Sequence, residues 1–167
     1  MENKNRGIAI ITELVIIIII IVLLVFYAVI PNVSDLKYMR KAEAVQRDLK
    51  ELRTALEEYY QLTGKYPELS KPGACDNLRI LDYVDEKGRK ISFADIYKKN
   101  KIAPTQAADK IYYNNRVFDN NDFKKINGLA GWNYDYSGQT GEIHANLQPN
   151  TYFQGVDWSE QKVCQKL

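Results

Sequence analysis

The sequence predicts an α+β protein: a long N-terminal α-helix, apolar in its first half and amphipathic in its second, packed on a small antiparallel β-sheet. Three observations carry this. Residues 14–30 form an apolar run without a charge. Apolar residues then recur every three or four positions from Val33 to Tyr59, the spacing of one helix face. Further on, Trp132–Tyr136 and Glu142–Leu147 alternate apolar and polar residues on either side of a glycine-containing turn, the pattern of a β-hairpin.

The apolar run comes first. With Ile8–Ile11 it reaches 23 residues, interrupted only by Thr12 and Glu13. At about 1.5 Å per residue this length crosses a hydrocarbon core of ~30 Å. Apolarity around the whole circumference argues against a buried helix of a small protein. A secretory signal has a shorter apolar region and ends at a small-residue cleavage site, whereas Ile30-Pro31-Asn32 follows here. Lys4 and Arg6 precede the run, which favours a cytoplasmic N-terminus with the rest of the chain outside; Lys37, Arg40 and Lys41 pull the other way. Glu13 is the odd residue, because a carboxylate in an apolar span costs on the order of 2–3 kcal/mol. Either it meets a partner, or it sits at the interface and the span begins at Leu14.

The second half of the helix follows Pro31, which should bend it by removing a hydrogen bond to the Tyr27 carbonyl. Val33, Leu36, Met39, Ala42, Val45, Leu49, Leu52, Leu56 and Tyr59 line one face. Charged residues fill the other, with Glu43–Arg47, Arg47–Glu51 and Arg53–Glu57 spaced for (i, i+4) pairing at a few tenths of a kcal/mol each. Gly64 is expected to cap the helix in the left-handed conformation, with Pro67 beyond. A helix from Ile8 to Leu62 would be roughly 80 Å long. Its amphipathic half needs a surface to lie against; the repeat drifts from strict heptad order, which argues against a coiled coil.

Beyond Pro67 turn residues become frequent. Residues 63–92 read mainly as loop, with a short strand or helix around Leu78–Val84. Ser92 is placed to cap a short helix, Phe93–Lys99. Residues 101–127 read as irregular, with a strand at Lys110–Tyr113. The hairpin is the clearest strand signal, and its apolar face (Trp132, Tyr134, Tyr136, Ile143, Ala145, Leu147) is the natural cover for the amphipathic helix. His144 falls on the polar side and is expected to be exposed.

The composition excludes several functions. Lys+Arg 23 against Asp+Glu 21 leaves +2, too balanced for a protein built to coat nucleic acid. One histidine and two cysteines do not make a His/Cys zinc site. No phosphate-binding or dinucleotide glycine loop is present, and no catalytic constellation emerges; no cofactor and no metal are expected. Asp119-Asn-Asn-Asp122 fails the helix-loop-helix calcium spacing, because Lys124 stands where glycine is needed, so it reads as a solvated turn. Twelve tyrosines are scattered, as suits packing rather than base or sugar stacking.

A short basic leader ending in glycine (Met1–Gly7), an apolar helix with one early glutamate and the sequence Ile30-Pro31-Asn32 together resemble the type IV pilin and type II secretion pseudopilin family. So do the helix exit Leu56-Glu-Glu-Tyr-Tyr-Gln-Leu-Thr-Gly-Lys-Tyr-Pro67 and the hairpin Gly131–Leu147. The chain departs from that family at Ile8, where phenylalanine is usual, in having Glu13 one position late, and in lacking a glycine in mid-helix. The resemblance implies a pilin-like fold with a leader (1–7), a membrane and assembly half of the helix (8–31), an amphipathic half (32–62) and an extracytoplasmic head (63–167). It implies cleavage by a prepilin peptidase between Gly7 and Ile8, N-methylation of Ile8, and a role for Glu13 in neutralising the new amine of a neighbouring subunit. The implied partners are that peptidase, sister subunits, an assembly platform with its motor ATPase, and membrane lipid before assembly. The function implied is that of a minor pilin or pseudopilin. The competing reading is a single-pass anchored binding module that never polymerises. In the exported head Cys75 and Cys164 would form a disulfide; in a reducing compartment they would remain thiols.

Overall fold

The computed structural model describes residues 2–107 and 113–160, with side chains for 13–27, 35–107 and 113–160. The protein is α+β. Helix α1 is Glu2–Thr63, followed by a 3-10 turn, Leu78–Leu81, and then β1 (Tyr83–Val84), β2 (Lys90–Ile91), α2 (Phe93–Tyr97), β3 (Val117–Asp119), β4 (Trp132–Tyr134) and β5 (Ile143–Ala145). The chain divides into two compact units, Met1–Arg40 and Lys41–Leu167.

In the first unit, the described side chains of the apolar run, residues 13–27, are all exposed. Among the described residues no helix is long and apolar enough to cross a membrane; residues 13–27 are fewer than the roughly 20 that a crossing requires. Leu36 and Met39, placed by spacing on the buried face, are exposed as well.

In the second unit the predicted stripe is buried from Ala42 onward: Ala42, Val45, Leu49, Leu52, Leu56 and Tyr59, with Ala55 added. Each large side chain removed from water in this way contributes about 1.5–3 kcal/mol. The helix ends as its chemistry requires. Gly64 adopts φ +72 and its N–H donates to the Tyr60 carbonyl at 2.7 Å, while the Thr63 hydroxyl closes back on the Tyr59 carbonyl at 2.8 Å.

The stripe shares one core with Leu69, Leu78, Phe93, Tyr97, Ile102 and the strands β4 and β5. Tyr59 meets the edge of Phe93 at 5.7 Å and donates to the Leu81 carbonyl at 3.3 Å. Strand β4 is tied in twice from its side chains: Trp132 Nε1 donates to the Ala103 carbonyl at 2.7 Å, and Tyr134 donates to the Pro67 carbonyl at 3.0 Å. Burial pushes the Tyr134 phenol far above its ordinary value, so it remains a donor. Arg53 donates to the Ile143 carbonyl on the edge strand at 2.9 Å. Arg47 and Glu51 approach to 4.0 Å as their spacing predicts.

The expected hairpin forms, with Trp132↔Ala145, Asn133↔His144 and Tyr134↔Ile143 antiparallel. The sheet around it differs from the expectation. It is three-stranded and mixed, in the order β3-β4-β5, because β3 pairs parallel to β4. A second, two-stranded antiparallel sheet joins β1 and β2. Val117-Phe118-Asp119 carries no alternation of its own, so only its pairing with β4 makes it a strand. Helix α2 is shorter than expected: Lys98 turns left-handed at φ 59. Ser92 does occupy the N-cap position, without a side-chain cap hydrogen bond. Leu78–Val84 holds the 3-10 turn and β1, as read from sequence. The strand expected at Lys110–Tyr113 falls largely outside the described residues.

Gly131 stands where the three strands converge. Its φ is +86 and a Cβ would lie 2.4 Å from the Arg116 carbonyl oxygen, the acceptor of the Trp132 N–H. Gly128, at φ +73, has nothing within 4 Å of that position. Gly128→Ala is therefore expected to cost only the left-handed backbone penalty, on the order of 1 kcal/mol, and Gly131→Ala about 3 kcal/mol or more. Thermal unfolding of the two variants checks this; equal losses would mean that the strands spread freely at Gly131.

Candidate functional site

Of the residues singled out in the sequence, Gly7, Ile8 and Pro31 lie outside those with described side chains, as does Cys164. Glu13 is described and exposed, at the start of the uncharged stretch Leu14–Tyr27. Cys75 is half-buried, its thiol 3.7 Å from Asp76 Oδ2. Burial, and then the neighbouring Asp76 carboxylate, push that thiol above its ordinary value.

The stretch 14–27 is the largest chemical anomaly of the first unit. Its isoleucines, leucines and valines are between 47 % and 63 % exposed, and Tyr27 reaches 89 %. A helix places successive residues about 100° apart, so this exposure goes all the way round. Soluble monomers rarely leave contiguous apolar surface of more than a few hundred Å² in water. The stretch therefore calls for an apolar surrounding, whether lipid or protein, and Glu13 is the charge that would enter with it.

The second unit shows no comparable chemical centre among its described residues. Among the described residues no group of three or more His, Cys, Asp and Glu could hold a metal ion. The acidic turn is occupied by donors of the protein itself. Asp119 accepts from the Tyr136 N–H at 3.2 Å, from the Ser137 N–H at 3.1 Å and from the Ser137 hydroxyl. Burial raises the carboxyl, but the bonds from Ser137 and Tyr136 outweigh it and hold Asp119 below the usual range. Ser137 thus fastens a turn. Asp122 caps the same loop through the Lys124 N–H at 3.3 Å.

Two open grooves lie beside α1. One, of about 420 Å³, is lined by Arg53, Glu57, Tyr66, Thr140 and Glu142 among others. The other, of about 470 Å³, has Ala55, Ile96 and Tyr97 in its lining with Lys50, Glu51, Glu58, Lys98 and Lys99 around them. Lys99 is already engaged, at 2.6 Å from Glu51 and 3.2 Å from Asp48. Neither groove gathers the nucleophile, base and orienting group that covalent or acid–base catalysis needs.

His144 corrects the sequence reading. Expected on a polar, exposed face, it is fully buried. Phe123 stacks against it at 4.2 Å, and its ring nitrogens lie 3.3 Å from the Trp158 carbonyl and 2.8 Å from Glu142 Oε1. Asn133 and Asn146 on the same side are buried too, with Asn146 donating to the Ala130 carbonyl at 2.8 Å. The hairpin is covered on both faces, the second by loops whose Phe123 and Trp158 bear no local relation to it. No protein-family model, curated protein or solved structure matches the chain.

Proposed function

We propose that the chain is a pilin-like structural subunit, a minor pilin or pseudopilin of a type IV pilus, a type II secretion pseudopilus or a related filament. The observation that carries this is the helix from Leu14 to Tyr27, apolar and exposed on every side, with Glu13 at its start and the basic leader Lys4, Arg6, Gly7 ahead of it. Such a helix has two favourable surroundings. Before assembly it is dissolved in lipid as a single-pass anchor, N-terminus in the cytoplasm and head outside. After assembly it packs among copies of itself in a cell-surface or periplasmic filament. A prepilin peptidase makes the passage between them one-way by cutting between Gly7 and Ile8; N-methylation of Ile8 follows. The new amine at Ile8 and the Glu13 carboxylate of a neighbour are each costly in an apolar phase, and pairing removes both costs. The subunit performs assembly and mechanical work with an assembly platform and a motor ATPase, and catalyses nothing itself.

Intact mass of the protein extracted from membranes tests the reading. The expected species lacks Met1–Gly7 and carries one added methyl. A membrane form that keeps its leader in cells with an active prepilin peptidase overturns the proposal in favour of a non-polymerising anchored module.

A further inference from the structure

His144 faces two oxygen acceptors, and a neutral imidazole has one N–H to offer. The shorter contact, 2.8 Å to Glu142 Oε1, is to a carboxylate and takes that proton. The Trp158 carbonyl, 3.3 Å from Nδ1, is then opposed by a lone pair. A second proton would satisfy this carbonyl, but at the cost of a full charge in a site with no exposure.

The surroundings set the balance. Just before its own strand the ring meets Glu142; from α1 the Arg53 guanidinium faces it, bonded to the adjacent Ile143 carbonyl. Strand β4 opposes it with Asn133, the 120s loop with Phe123, and the segment after β5 with the Trp158 carbonyl. Burial comes first and Arg53 adds to it, so the imidazole is held below its ordinary value, although Glu142 works in the opposite direction.

The covering pieces are unequal in strength. Strand β5 is laddered to β4. Residues 147–160 contain no helix or strand and are held to the rest by side chains: Leu147, Val156 and Trp158 in the core and Tyr152 to the Gln106 carbonyl. A segment of this kind opens at lower free energy than a paired strand.

We propose that His144 is a proton-operated latch: acidification charges the enclosed ring, and the 147–160 segment lifts from β5 to let it reach water, uncovering Trp158. The inference concerns the second unit alone and stands apart from the membrane reading. The closed state binds fewer protons than the open one, so its stability is complete above the open-state value of about 6.5 and falls as pH drops toward the lower closed-state value.

Hydrogen exchange of the full chain in detergent tests this between pH 7.5 and 5, with protection corrected for intrinsic exchange. Protection of peptides within 147–160 is expected to fall by up to tenfold per pH unit below about 6.5, while peptides from residues 41–63 of α1 keep theirs. His144→Gln, which retains hydrogen bonding without a titration, is expected to flatten the profile. Glu142→Gln removes the group that supports the charged ring in the closed state; the onset at about 6.5 is expected to stay, and the fall to continue to lower pH with a larger total loss of protection. An unchanged slope in His144→Gln, a rise in protection with acid, or a smaller fall that levels off at higher pH in Glu142→Gln would overturn the latch.

Discussion

Trp132→Ala is expected to destabilise the unit formed by residues 41–167 by about 3–5 kcal/mol. The indole is fully buried at the start of the central strand, between β3 and β5. Its loss removes one of the two largest fully buried side chains and leaves a cavity that three short strands and their loops cannot collapse around. It also removes the indole N–H that the half-buried Ala103 carbonyl receives at 2.7 Å, a hydrogen bond of about 0.5–1.5 kcal/mol that is part of the same total. A domain of ordinary stability has 5–15 kcal/mol to lose, so the midpoint of thermal unfolding should drop by roughly 10–20 °C. Near-UV circular dichroism of the full chain measures it. Trp132→Phe, which keeps most of the volume and loses the hydrogen bond, should fall between the two. A loss below about 1 kcal/mol for the alanine variant would show that the core is not organised around β4.

The same strand shows what local pattern reveals and what it misses. Trp132, Tyr134, Ile143 and Ala145 announced their pairing because alternation is a property of neighbours in the chain. The stripe from Ala42 to Tyr59 was legible for the same reason, as was Gly64, whose left-handed turn follows from its lack of a side chain. Val117–Asp119 had no such signal; it becomes a strand through a partner fifteen positions away in register, Val117 against Trp132. His144 was misread because a polar residue on an alternating strand looks solvated. Its burial depends on Phe123 and Trp158, and on hydrogen bonds that satisfy the polar second face of the hairpin. A hint was present in the two aromatic residues of the flanking loops, but nothing in their spacing indicates which strand they cover.

The proposed assembly residues are legible for a different reason. Gly7, Ile8 and Glu13 form a linear pattern that needs no tertiary contact to be recognised, so the sequence carries the whole of that reading. The structure contributes the exposure of Glu13 and of the uncharged stretch behind it. By contrast, Leu36 and Met39 lie on the same periodic stripe as Ala42 but are exposed. Periodicity identifies which residues share a helix face; it does not say where along the helix the cover begins.

Glu13→Ala is expected to abolish filaments while leaving membrane insertion intact. The two effects separate because the carboxylate acts differently in each setting. In a lone inserted chain Glu13 costs on the order of 2–3 kcal/mol, so alanine makes insertion easier. In the proposed assembled state the carboxylate would be the partner of a neighbour's amine at Ile8, and removing one member of a buried pair leaves the other charged and unmatched, at about 3–5 kcal/mol. That penalty recurs at every subunit contact and corresponds to a loss of more than about a hundredfold in each association step. Glu13→Asp keeps the charge on a shorter arm and should assemble poorly but measurably. Glu13→Gln keeps the shape without the charge and should behave as alanine does. Sheared surface fractions examined by electron microscopy, alongside membrane fractionation of the same cells, read both effects. Normal filaments from the alanine variant would show that the apolar helices find their register without the pair, and Glu13 would then be a residue of the membrane interface only.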